Sequence, residues 1–202
     1  MNAVRLLRRI VVMMILLSAL CGCQRTLFES APAAAAACDP ALVGRWLSLG
    51  ERKDETGELE ALVDARCGLV VTEHERDGDK RSDATLLRNV HSGGVKYLWV
   101  DAAWANRSFE VDPTLLDRSG DIYLFAYRLR RDTLELAAPP HRALAHRVLD
   151  KDIPGEVLMQ GDDLAVRVAG DSAALRKILA THRLFHFEQP LRFRRAKADE
   201  AP

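Results

Sequence analysis

No segment of this 202-residue chain holds twenty consecutive apolar residues, roughly the length a helix needs to cross a bilayer core. The longest apolar run is Ile10 to Leu20, eleven residues interrupted only by Ser18. A charge excess is also missing, because 29 basic residues balance 29 acidic ones. Proteins that track a phosphate backbone carry a basic excess, so no nucleic-acid partner is expected. No phosphate loop, no dinucleotide fingerprint and no Gly-x-Ser-x-Gly elbow occurs. These absences exclude the common nucleotide-dependent and serine-hydrolase classes and leave the two ends of the chain to say more.

The amino-terminal end is basic and then apolar. Arg5, Arg8 and Arg9 precede the eleven-residue run, and no acid occurs before Glu29. A basic segment, a short apolar segment and then small residues make a secretory signal peptide. The paired arginines lack twin-arginine flanks, so ordinary Sec export is expected. Leu20, Cys21, Gly22 and Cys23 resemble the lipobox of bacterial lipoproteins, with Gly22 as the small residue before Cys23. The resemblance implies cleavage after residue 22 and a lipid, including palmitate, on Cys23. Such chains hold a protein at a membrane because each buried methylene contributes about 0.8 kcal/mol. In that family Asp after the cysteine signals inner-membrane retention, so Gln24 implies the outer membrane, facing the periplasm.

Cysteine counting follows from this reading. Of four cysteines, Cys21 leaves with the signal peptide and Cys23 takes the lipid. Cys38 and Cys67 remain as a pair in an oxidising compartment, and a disulfide between them is expected. Two separate buried thiols are the alternative. Neither residue has a second ligand at metal-site spacing, and no metal or other cofactor is expected. The chain from Cys23 has 180 residues and loses three arginines, giving 26 basic against 29 acidic. That length suits one domain.

Residues 23–38 read as the lipidated cysteine and an Ala-rich tether, 39–197 as one β-rich globular domain, and 198–202 as a disordered tail. Fourteen flexible tether residues from Gln24 span about 20 Å. Strands are expected at 43–49, 68–75, 83–90, 96–104, 122–129, 133–136 and 163–170, from β-branched and aromatic content between turn signals. Asp77-Gly-Asp79 and Ser92-Gly-Gly94 mark hairpins. Two helices are expected, one from His141 and one capped by Asp171, with Leu175, Ile178 and Leu179 on its buried stripe. Strand-turn-helix units repeat faintly at an offset of 30, from Asp132 and from Asp162. The fold class is therefore mainly β with two helices (α+β), built on an antiparallel sheet or a barrel.

Gly44-Arg45-Trp46 is similar to the Gly-x-Trp signature of the lipocalins, and Gly120 to Tyr127 is loosely similar to their second motif. The resemblance implies a lipocalin-like barrel. It also implies an arginine from the last strand, Arg192 or Arg194, packed over Trp46. Trp46, Trp99, Tyr123, Phe125 and Tyr127 then become the residues that line a space for a small apolar ligand. The alternative for the aromatic set is ordinary core packing.

Catalytic groups are not legible. His182 and His186 are four apart but straddle a helix end, and His141 and His146 are five apart. Ser92 sits in a glycine turn. Asp117 to Asp121 lacks the terminal Glu of a calcium loop. No enzyme is expected. The role expected is an accessory or structural envelope lipoprotein acting through a protein partner; the alternative is a lipocalin-like carrier of a small apolar ligand.

Overall fold

The computed structural model describes residues 24–49, 58–75 and 78–197. The expected signal peptide at 1–22, the expected lipid site Cys23 and the expected tail at 198–202 lie outside the described residues. Thirteen strands and three α-helices follow in chain order. They are β1 (Gln24–Phe28), β2 (Gly44–Ser48), β3 (Glu58–Val63), β4 (Gly68–Glu75), β5 (Gly78–Arg81), β6 (Thr85–Leu86), β7 (Arg88–Ser92) and β8 (Val95–Asp101), then α1 (Ala102–Ser108), β9 (Ile122–Arg130), β10 (Thr133–Ala137), α2 (His141–Leu149), β11 (Gly155–Gln160), β12 (Asp163–Val168), α3 (Ser172–His182) and β13 (Leu191–Arg195).

Local chemistry accounts for most boundaries. Gly93 and Gly94 take φ of 58° and 78° between β7 and β8, the left-handed pair that a two-residue hairpin turn requires. The Asp171 carboxylate accepts from Ala174 N at 2.8 Å and starts α3, which ends where Arg183 turns left-handed. Asp101 likewise accepts from Trp104 N at 2.8 Å and starts α1. Both caps satisfy amide groups that the first helical turn leaves free.

All strands join one sheet, in the order β11-β12-β1-β9-β10-β13-β2-β3-β4-β5, with β6 on β4 and β7-β8 on β9. β9 is the branch point. It pairs with β8 along 122–127, with β10 along 126–130, and with β1 at one position, Phe28 opposite Ile122. One limb runs from β1 through β12 to β11. The other runs from β10 to β4 and curls back toward β8. The segment 85–92 spans the remaining gap, pairing with β4 at its start and with β8 at its end.

The wall formed by β8 and β9 separates two cores, because successive side chains on a strand point to opposite faces. Tyr97, Trp99, Ile122, Leu124 and Ala126 face the first core, where α2 and α3 contribute Leu144, Val148, Leu175 and Ile178. Leu98, Val100, Tyr123, Phe125 and Tyr127 face the second, inside the curl.

Several expectations are corrected here. The described helices number three, since Ala102–Ser108 is helical. The strand expected through Trp104 stops at Asp101, whose cap turns the chain. The sheet is mixed, because β1 runs parallel to β12, where an antiparallel sheet or a barrel was expected, and it is not closed. The tether expected from Gln24 instead begins with a strand in which Leu27 and Phe28 are fully buried. Burial of those two side chains between β12 and β9 offsets the entropy that a free tether would have kept. Residues 29–38 have no regular structure but are stitched down, with Ser30 Oγ donating to Gly170 O and Ala36 N donating to Asn89 O. Residues 24–38 thus belong to the folded unit that was expected to begin at residue 39.

Candidate apolar binding site

The inner face of the curl lines a hollow of about 180 Å³ that is open to solvent on one side. Its walls come from Trp46 on β2, from Leu59, Ala61 and Val63 on β3, and from Leu69 and Val71 on β4. Across from them stand Leu98 and Val100 on β8, Phe125 on β9, Leu134 and Leu136 on β10, and Phe193 on β13. Leu42, Leu87, Trp104 and Phe109 complete it. Every one of these side chains is apolar or an indole.

The two indole N–H groups do not serve the hollow. Trp46 Nε1 donates to Leu42 O at 2.7 Å, and Trp104 Nε1 donates to Asp83 O at 2.9 Å. Both donors are satisfied by backbone. Arg195 lies 4.3 Å over the Trp46 ring and donates to Val43 O and Ala41 O. The lipocalin resemblance thus picked the right ring and the wrong arginine, since Arg192 and Arg194 sit elsewhere on β13. Strand alternation decides this: Arg195 is opposite Trp46 in the ladder, and Arg194 is opposite Leu47.

One end of the hollow is fixed by covalent and polar ties. Cys38 and Cys67 form a disulfide with Cα atoms 5.4 Å apart. Asp64 Oδ1 accepts from Arg66 N and Gly68 N, both at 2.7 Å, which holds the turn carrying Cys67. Asp39, next to Cys38, accepts from Lys96 Nζ and from the Tyr127 hydroxyl, each at 2.9 Å. Burial alone would raise the Asp39 pKa, but the donors from Lys96, Ala41 and Tyr127 outweigh it and lower the value. Burial, then the Asp39 carboxylate, pushes the Tyr127 hydroxyl far above its usual range. The Tyr123 hydroxyl donates to Asn106 Oδ1 at 2.8 Å. At the lip, Phe109 is 42% exposed and meets Trp104 edge-on at 6.1 Å.

Of the five residues expected to line a ligand space, Trp46 and Phe125 do so. Tyr123 and Tyr127 flank it in the same core with their hydroxyls turned to Asn106 and Asp39. Trp99 does not. It lies on the other side of the wall, in the helix-backed core, opposite Leu124 in the ladder. The β3 residues were overlooked, although Leu59, Ala61 and Val63 recur at the strand period of two. Trp104 and Phe193 are not among the five: Trp104 falls at the end of the strand expected at 96–104, and Phe193 lies between the two arginines expected on the last strand.

A space of this size and lining can hold one apolar ring or the end of an acyl chain. An engineered apolar cavity of about 150 Å³ stays dry and takes benzene. Among the described residues no acid, base or nucleophile lines it, and what the lining offers is burial of apolar surface. A second cleft of about 740 Å³ lies between the 110–114 segment and the β11–β12 turn, with Arg25 at its base and Glu110, Asp112 and Asp163 around it. There Arg25 Nη2 donates to Asp112 O at 2.7 Å. Among the described residues, no three His, Cys, Asp or Glu side chains converge as metal ligands. No described helix is long and apolar enough to cross a membrane.

No family model matches this chain, and no curated protein or solved structure matches it either.

Proposed function

We propose that the protein is a lipid-anchored bacterial envelope protein, attached to the outer membrane through Cys23, whose curled sheet takes a small apolar ligand. The observation that carries the ligand reading is the hollow of about 180 Å³ with wholly apolar walls. Binding there would be driven by removal of ligand surface from water, at about 25 cal/mol per Å². The limited volume favours a single ring or a short hydrocarbon end over a whole lipid. A second reading, an accessory protein acting through an envelope partner, is favoured by β11. Among described residues β11 pairs only with β12, and Met159 on it is 69% exposed. An unpaired strand edge of this kind is a template for another chain.

Two experiments test the proposal. Residues 24–202 should enhance the fluorescence of a polarity-sensitive naphthalene dye, and short-chain fatty acids should displace it. Ala61→Phe should fill the hollow and abolish the enhancement while the circular dichroism stays native. Unchanged dye binding in that variant overturns the ligand reading. For the anchor, labelled palmitate should enter the wild type and not Cys23→Ser, and incorporation in the mutant overturns that part.

A further inference from the structure

The outer face of β9, β10 and β13, beyond the area covered by helices, gathers arginines. Arg128, Glu135 and Arg192 stand opposite one another across the three strands, and Arg130, Thr133 and Arg194 form the next row. Glu135 is 5% exposed and bonds Arg128 directly, with Arg192 at 3.3 Å and Arg130 at 3.8 Å. Arg131 adds a charge at the β9–β10 turn. Among the described residues, Arg128, Arg130, Arg131 and Arg192 thus share this surface with Glu135, Asp132 at the turn and Glu188 beyond Phe187. One buried carboxylate needs one or two partners to be satisfied. Gathering more cations around it works against their mutual repulsion and leaves an excess directed outward. The side chains of Arg130 and Arg192 are 66% and 55% exposed.

The position of the patch matters as much as its sign. β1 is antiparallel to β9, with Phe28 opposite Ile122. Extended from that one pair, the antiparallel direction carries Gln24 to the level of Ala126, two residues short of Arg128. Gln24 is already in the strand, so a lipid on the residue before it would have about one residue of slack, some 3.5 Å.

We infer that the arginine face of β9, β10 and β13 docks on an anionic phospholipid surface. Its placement rests in part on the anchor proposed at Cys23, while its charge stands without it. One acyl group and a basic patch together give stable residence where either alone is marginal. The patch would hold the sheet against the headgroups and fix how the hollow is presented.

Co-sedimentation of residues 24–202, which contain every described element, tests the surface without the anchor. The protein should pellet with vesicles of phosphatidylglycerol and phosphatidylethanolamine at 50 mM salt. It should stay in solution with pure phosphatidylcholine, and release at 500 mM salt, where charge is screened within a few ångströms. Arg130→Glu, Arg131→Glu and Arg192→Glu combined should weaken binding by about a hundredfold. The matching triple Lys variant should bind like the wild type, which separates charge from misfolding. Equal binding to neutral vesicles, or wild-type binding by the triple Glu variant, overturns the inference. So does competition by millimolar inorganic phosphate or equal affinity for a short oligonucleotide, since either would replace a lipid surface with another anion. Ala61→Phe should leave vesicle binding unchanged, so failure of the hollow and failure of the patch are distinguishable.

Discussion

The two sides of the β8–β9 wall use alternate residues of the same strands and end in opposite states. On one side α2 and α3 deliver Leu144, Leu175 and Ile178 against Trp99 and Leu124, and the space is filled. On the other side the sheet folds over itself and meets mainly more sheet, with α1 contributing only Trp104 and Ala105. A helix laid on a sheet face fills it, because its side chains interdigitate at the density of an organic crystal. A strongly curled sheet keeps its walls apart by its own curvature. The limbs are also held differently. An ion pair ties the β12 limb to the wall, with Arg167 bonding both Asp121 oxygens at 2.9 to 3.2 Å. A disulfide ties the curled limb.

The sharpest way to break this contrast is paired truncation. Leu144 is fully buried in the helix-backed core, and Leu98 is nearly as buried but faces the hollow. Leu144→Ala should cost about 3–5 kcal/mol, the upper part of the range for core leucines. Leu98→Ala should cost about 1–2 kcal/mol, because a side chain beside a void has fewer contacts to lose. Urea unfolding of the two variants measures the difference, and equal costs would mean the hollow is collapsed in solution.

Next in size is the ion pair. Asp121→Asn leaves Arg167 charged and 9% exposed, with Glu29 and Glu156 only at 3.8 and 3.9 Å. Loss of one partner of a buried pair costs about 3 kcal/mol or more. The same unfolding measurement should show this loss with dye binding by the native protein unchanged, because the pair lies in the other limb. Replacing Cys38 and Cys67 by serine should cost about 2–3 kcal/mol and should weaken dye binding as well, since Cys67 packs in the core around the hollow. If the disulfide variant keeps full dye binding, the hollow is held by its packed walls and not by the covalent tie.

What was readable beforehand follows the range of each interaction. The alternation of β8 and β9 was visible because strand period and aromatic content are local. So were α3, whose cap lies beside it, and the disulfide, which follows from pairing two remaining cysteines. The strand-turn-helix units from Asp132 and Asp162 were visible for the same reason, as β10–α2 and β12–α3. β1 was not visible. Its five residues begin with the polar pair Gln24-Arg25 and lead into an alanine run, and its partner β12 is about 140 residues away. Parallel pairing at that distance leaves no mark in the local pattern. Trp99 shows the same limit within the candidate site. Alternation along β8 separated Trp99 from Leu98, but only the register between strands, with Leu98 opposite Phe125, says which of the two shares a face with the aromatics of β9.

The smallest expected effect separates the two sides by pH. On the helix-backed side burial lowers the pKa of His141, whose Nδ1 lies 2.8 Å from Thr26 Oγ1. In the unfolded chain the imidazole takes a proton near pH 6.5, and in the folded chain it does so only at lower pH. The unfolded state therefore gains protons first, and stability falls as pH drops through about 6.5. On the curled side the Asp39 pKa is lowered on folding. Its contribution is present above the unfolded value of about 3.9 and fades as pH falls through and below it. Urea midpoints should decline modestly from pH 8 to pH 5 in the wild type and stay flatter in His141→Gln, which keeps a polar partner for Thr26. A further decline from pH 4 to pH 3 should be smaller in Asp39→Asn than in the wild type. If His141→Gln also removes the decline below pH 4, one titration governs both cores and the wall between them does not isolate their charges.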